Sequence, residues 1–429
     1  MPRVPRLPFV PDPLRRSRIP HDIEAVTVRG EETDPLEVGM THDSIERIWG
    51  DVVSWYRSGV HPAIQICVRR DGETVLDRAI GHARGNGPAD GEDVPKVPVT
   101  LDTPFGVYSA SKAVTAFLVH RMVEKGLVAI DEPVATYIPG YGTKGKDTIT
   151  VGHVLSHRAG VPNLPREAFD LDRMADRDFL TSILRDAKPF AKPGRLLAYH
   201  AISGGYILGE VVHQVTGKDI RAVLAEEFLT PLGFRWTNYG VAEKDIGAVG
   251  LDYVTGPALP PPFSQLLSRA LGVSVDEVVA SANDSRFQTA IVPAGNVITT
   301  ARELSRFFEV MRRGGELDGV RVLEPETIRT ALTEQSHLEI DLSLGFPTRF
   351  SYGLMLGARL VSLFGRDTQH AFGHLGFTNT LGWADPERGL AVAIVTNGKP
   401  TIYPEVGRFF ALPQRITSEA PKVAGFNGG

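Results

Sequence analysis

Two β-rich runs, 63–69 and 74–81, flank the pair Asp71-Gly72, and that pair leaves them little choice of partner. Asp-Gly readily supplies the positive φ that a two-residue turn needs, so the runs are expected to pair as antiparallel neighbours. A second set, 377–384 and 389–397, flanks Asp385-Pro386-Glu387-Arg388 near the other end of the chain. Between the two sets the spacing turns helical. Ile45, Ile48, Trp49, Val52, Val53 and Tyr56 share one face over 44–56, behind the capping candidates Thr41 and Asp43. Further helices are expected over 109–125, stopped by Gly126, and over 202–215, 219–228 and 300–311. The stretch 251–291 opens on Leu259-Pro260-Pro261-Pro262 and then reads as short helices at 266–271 and 275–280, an insertion or cap beside a site. Strands early, helices in the middle and strands late predict an α+β fold. In it an antiparallel sheet flanked by helices is made from both ends of the chain, with a mostly helical lobe inserted. The expected division is a loosely ordered arm over 1–40, a sheet domain of 41–108 plus 292–429, and a helical lobe of 109–291 that includes the cap at 251–291.

Composition narrows the chemistry. The 429 residues carry 46 Lys plus Arg against 51 Asp plus Glu, and this mild acidity argues against nucleic acid as a partner. Cys67 is the single cysteine, so neither an internal disulfide nor a zinc site built on several cysteines is available, and the redox compartment stays undecided. The longest apolar stretch, 352–365, is broken by Arg359 and falls short of the roughly 18 residues of a membrane span. Residues 1–20 hold Arg3, Arg6, Arg15, Arg16 and Arg18 among six prolines, but the apolar piece 7–10 is too short for a signal peptide. A cytoplasmic or cell-associated protein is expected, and a homo-oligomer stays open.

Several motifs fail on inspection. The run from Gly140 to Asp147 nearly matches a phosphate-binding loop, but Asp147 stands where a hydroxyl must reach magnesium, so a surface turn is expected. His153 and His157 are four apart, yet Val154 stands where a zinc protease needs glutamate; they read as structural histidines and no metal is expected. No serine lies in Gly-x-Ser-x-Gly, which removes the nucleophile elbow of the α/β-hydrolases.

Ser109-Ala110-Ser111-Lys112 survives. It stands where the extended 103–108 gives way to a helix, so Ser109 meets free backbone N–H groups and the positive end of the helix dipole. Lys112, three residues on, lies one turn away on the same face and can reach Ser109.

Tyr108-Ser109-Ala110-Ser111-Lys112 is followed by Leu127-Val128-Ala129-Ile130-Asp131-Glu132-Pro133-Val134 and Val154-Leu155-Ser156-His157-Arg158-Ala159-Gly160-Val161-Pro162. Then come Pro193-Gly194 running to Tyr199, Tyr206-x-Leu208-Gly209, Pro231-Leu232-Gly233 and His374-Leu375-Gly376-Phe377-Thr378. This ordered series, over about 44–400, resembles the serine β-lactamase and DD-peptidase superfamily, and within it the class C β-lactamase-related family VIII carboxylesterases. The resemblance implies that Ser109 is the acylated nucleophile, Lys112 its activating partner and Tyr199 the phenol that shuttles protons. It places His374-Leu375-Gly376 on the strand closing the cleft, and the oxyanion hole at the backbone N–H groups of Ser109 and Phe377. No cofactor is implied.

Either Lys112 or Tyr199 could be the base. Bringing a phenol from about 10 to about 7 requires roughly 4 kcal/mol, which a cation about 4 Å away at an effective dielectric near 20 supplies. A desolvated neutral lysine would serve instead. Two departures from the β-lactamase pattern bear on substrate. Tyr199-His200-Ala201 lacks the amide of Tyr-x-Asn, and His374-Leu375-Gly376 replaces Lys-Thr-Gly. A mostly neutral imidazole is a poor anchor for a substrate carboxylate, which favours neutral esters; the expected activity is a serine carboxylesterase acting on small-molecule esters with short to medium acyl chains. The alternatives are a β-lactamase, a peptidase on D-amino acids, or a catalytically silent ligand-binding protein.

Overall fold

The computed structural model describes residues 12–401, 403–424 and 426. Ala63–Arg70 and Glu73–Arg84 form the expected hairpin, with Asp71 at φ 52° and Gly72 at φ 98° in its turn. The hairpin is part of an antiparallel ten-stranded sheet. Along the sheet Thr27–Arg29 pairs Glu73–Arg84, which pairs Ala63–Arg70, which pairs Leu390–Thr396. From there the order runs through Thr380–Asp385, Phe372–Gly376, Met355–Leu356 and Pro347–Phe350 to Ser336–Ile340. Its centre is therefore the pairing of an early strand with the last one.

Both central strands alternate side chains at period two, and both faces are covered. Ile64, Ile66, Val68, Leu390, Val392 and Ile394 meet the helices His42–Tyr56 and Val406–Glu419 through Ile48, Trp49, Trp55, Phe409 and Ile416. On the other face the small residues Ala63, Cys67, Ala391 and Ala393 let the helix Ala301–Arg312 approach closely, seating Leu304, Phe307 and Phe308. Each large aliphatic or aromatic side chain buried this way contributes about 1.5–3 kcal/mol. The amphipathic reading of 44–56 holds, and Thr41 caps the helix through the Ser44 N–H at 3.1 Å.

Several expectations need correction. A loosely ordered arm over 1–40 does not describe 12–40. Ser17 bonds the Gly59 carbonyl, Thr27–Arg29 joins the sheet edge, and Met40 is buried, because this segment carries apolar side chains that cover the rim of the core. Residues 1–11, with Arg3 and Arg6, lie outside the described residues. The strand expected from 377 begins at Thr380. The helix expected over 219–228 is Ile220–Leu224 continued by a wider turn, Ala225–Leu229. His153 lies in the helix Val151–Leu155, which ends before His157, whose φ is 61°. The 140–147 turn is not all surface: Lys146 is buried and its ammonium donates to the carbonyls of Arg185 and Ala187 at 2.8 and 2.7 Å.

Candidate active site

The short strand Phe105–Gly106 pairs Val297–Thr299, and the chain then turns sharply into the helix Ser111–Glu124. The turn is a single 3-10 turn, Tyr108–Ala110, so Ser109 stands just ahead of the α-helix and Lys112 within its first turn. Tyr108 has φ 49°, a left-handed conformation that costs a bulky residue about 1–3 kcal/mol. Hydrogen bonds fix the turn: Ala110 N–H to the Val107 carbonyl, Val107 N–H to the Val297 carbonyl, and Val297 N–H to the Ser111 hydroxyl.

Lys112 is buried and its Nζ has three oxygens around it. The carbonyls of Ala201 and Ala294 stand at 2.8 and 3.0 Å, and Ser109 Oγ at 3.1 Å. Burial pushes this amine down to about 7. A neutral amine has two N–H bonds and one lone pair, so donation to both carbonyls leaves the lone pair facing the serine hydroxyl.

Tyr199 comes from an irregular segment after Pro193-Gly194. Its phenol interacts with the Ser109 hydroxyl, and its ring centroid lies 4.8 Å from Lys112 Nζ. Burial raises the phenol and outweighs the lowering by Ser109, so the proton stays on Tyr199. The segment is held by Asp341, which is buried and accepts the N–H groups of Tyr199, Ser343 and Leu344 at 3.0, 2.8 and 3.0 Å.

Three neutral histidines back the site. His157 packs against Tyr199 with ring centroids 4.6 Å apart and accepts the His200 N–H, and burial lowers it well below the ordinary histidine value. His200 accepts the Val161 N–H and is held at about 4 by burial. His374, on the strand Phe372–Gly376, is 1% exposed and lowered to about 3, first by burial and then by Lys112. Its Nδ1 donates to the Leu375 carbonyl at 2.8 Å, which leaves Nε2 as an acceptor without a partner among the described residues. Gly376 lies against the Val107 carbonyl so closely that any Cβ would collide with it, so glycine is what lets this strand reach the turn that carries Ser109. Phe377 follows and rests on the Tyr108 ring at 5.6 Å.

Ser109, Tyr108, Tyr199 and Phe377 form one end of a cavity of about 540 Å³, a normal size for a small-molecule site. Phe169, Leu171, Met174, Ile202, Leu271 and Val278 make the rest largely apolar. Arg166 and Glu277 pair at 2.9 Å among the lining residues.

The structure thus brings Ser109, Lys112, Tyr199, His374, Gly376 and Phe377 together. Sequence reasoning missed Asp341 and a second buried group behind the turn. There the Tyr108 hydroxyl donates to Asp252 Oδ2 at 2.7 Å, and Lys399 Nζ lies 3.3 Å from Asp252 Oδ1 and 4.7 Å from the Tyr108 ring centroid. A lone Asp or Lys in a loop carries no pattern that marks it in advance. Among the described residues no group of three or more His, Cys, Asp or Glu could hold a metal, and no helix is long and apolar enough to cross a membrane.

The family model described as Beta-lactamase matches residues 46–411. The esterase/beta-lactamase LipL of Mycobacterium tuberculosis is 31% identical over 350 residues, 77% of this chain and 76% of that protein. Among solved structures, a family VIII carboxylesterase superposes with a TM-score of 0.74 at 26% identity, over 88% of this chain and 98% of the other. A penicillin-binding protein homologue from Caulobacter crescentus gives 0.75 at 25%, over 89% and 99%.

Proposed function

The chain belongs to the beta-lactamase family and is a serine hydrolase of that fold, and from this premise we propose that it is a carboxylesterase working through an acyl-enzyme on Ser109. The observation that carries the reading is the character of the cavity: Ser109 opens on walls that are largely apolar. Two relatives point the same way, since one is named an esterase/beta-lactamase and another a family VIII carboxylesterase.

In the proposed reaction Ser109 Oγ attacks the ester carbonyl carbon while its proton passes to the neutral Lys112 Nζ. The carbonyl oxygen becomes an oxyanion, received by the N–H groups of Ser109 and Phe377. As the tetrahedral intermediate collapses, the C–O bond to the alcohol breaks. Tyr199, still protonated, gives its proton to the departing alkoxide and regains one from Lys112. Water then attacks the acyl-enzyme with the same groups in reverse roles, releasing the acid and restoring Ser109.

The test is turnover of nitrophenyl esters beside a chromogenic cephalosporin, with mass spectrometry after a fluorophosphonate. Ester bursts and an adduct on Ser109 are expected. Rapid cephalosporin turnover without ester hydrolysis would replace the substrate class, and absence of any adduct would remove the mechanism.

A further inference from the structure

A second cavity, of about 320 Å³, lies beside the catalytic one. Leu180, Leu184, Ile220 and Ile291 give it apolar walls, the ion-paired Arg177 and Glu210 line it beside His213, Asp219 and Arg221, and Tyr206 adds a buried hydroxyl with no hydrogen-bond partner among the described residues. Met174 is the one residue that lines both cavities, and it is 6% exposed. At that boundary stands an unbranched side chain with three rotatable bonds, which can change rotamer without moving backbone. Nothing in the proposed chemistry uses the second cavity.

We propose that the second cavity is a distal subsite for the linear alkyl chain of an ester, and that Met174 sets the chain length the enzyme accepts; this rests on the esterase reading above. A short chain ends within the catalytic cavity without having to displace Met174. A long one must displace the thioether before its terminal methylenes can leave water for the apolar walls beyond. The cost of moving Met174 is charged only to long chains, which makes it a length filter rather than a general barrier. The chain can belong to the acid or to the alcohol, since both emerge from the same carbonyl carbon.

The test compares nitrophenyl esters from acetate to palmitate with acetate esters of alcohols from ethanol to hexadecanol, in the wild type, M174A, M174V and M174L. M174A is expected to raise the ratio of kcat/KM for dodecyl to butyl chains about tenfold or more in one of the two series. M174V, a milder truncation that covers the case in which M174A fails to fold, is expected to shift the same way by less. M174L nearly conserves volume and is expected to keep the wild-type profile. A truncated variant that folds and still cleaves esters, with the wild-type length profile in both series, overturns the role of Met174 while leaving the esterase reading intact. Absence of ester cleavage by the wild type at every length overturns the esterase reading itself, and this subsite with it.

Discussion

Lys112 ties the rate to pH. In the proposed mechanism acylation needs its neutral form, and burial brings it to about 7, so kcat/KM for an ester is expected to climb with pH through about 7 and then level. A profile flat between pH 5 and 9 would contradict the lysine as base. Lys112→Ala is expected to lower acylation of Ser109 by about a hundredfold or more, read by the rate of fluorophosphonate labelling. Tyr199→Phe separates the two proton carriers. Nitrophenolate leaves without a proton, whereas an ethoxide does not, so the variant is expected to lose far more rate on ethyl esters than on nitrophenyl esters. Equal losses on both would remove Tyr199 as the donor to the leaving group. The pair Ser109 and Lys112 was legible in the sequence because three residues along a helix is itself a spatial relation. Tyr199 and His374 became legible only through the ordered motifs of the resemblance, since their spacing from Ser109 implies no contact. The choice between lysine and phenol as base was not legible, because it depends on how deeply each is buried.

At the scale of elements, the decisive piece is the turn that presents Ser109. Its left-handed Tyr108 is anchored through the hydroxyl to Asp252, which Lys399 in turn neutralises. Asp252 is in turn held to Asn283, within the same 251–291 stretch, by two backbone-to-side-chain bonds of 2.8 Å. Lys399→Met would strand a buried carboxylate and is expected to cost about 3–5 kcal/mol, read by urea denaturation. Tyr108→Phe keeps the ring against Phe377 but frees the turn; a loss of about 1–3 kcal/mol is expected, with kcat falling while KM stays near the wild-type value. If the stability loss appears without any change in kcat, Tyr108 supports the fold alone and does not position Ser109. The two hairpins and the long amphipathic helices were legible because pattern and turn chemistry are local. The edge strand Thr27–Arg29 was not, because three residues carry no period and the partner lies some fifty residues away.

Across the whole molecule, burial of neutral histidines makes stability depend on acidity. His61 and His374 are held at about 3, His120 and His200 at about 4, each chiefly by burial. The unfolded chain would take up these protons near 6.5, so between that value and the native ones it binds more protons than the folded form. Stability is complete above about 6.5 and is lost as pH falls toward 4 and 3, by several kcal/mol in total as an order of magnitude. A urea midpoint at pH 5 well below that at pH 7 is expected, and equal midpoints would contradict the burial of these rings in neutral form. The sheet itself imposes a schedule on biosynthesis. Ala63–Arg70 and Leu390–Thr396 are neighbours at its centre, yet a ribosome adding about 5–20 residues per second delivers them on the order of tens of seconds apart. Throughout that interval the first hairpin waits with an open, apolar edge, the kind of surface to which holdase chaperones bind. Expression at high yield is thus governed less by the final free energy than by what shelters the nascent chain until its last strand emerges.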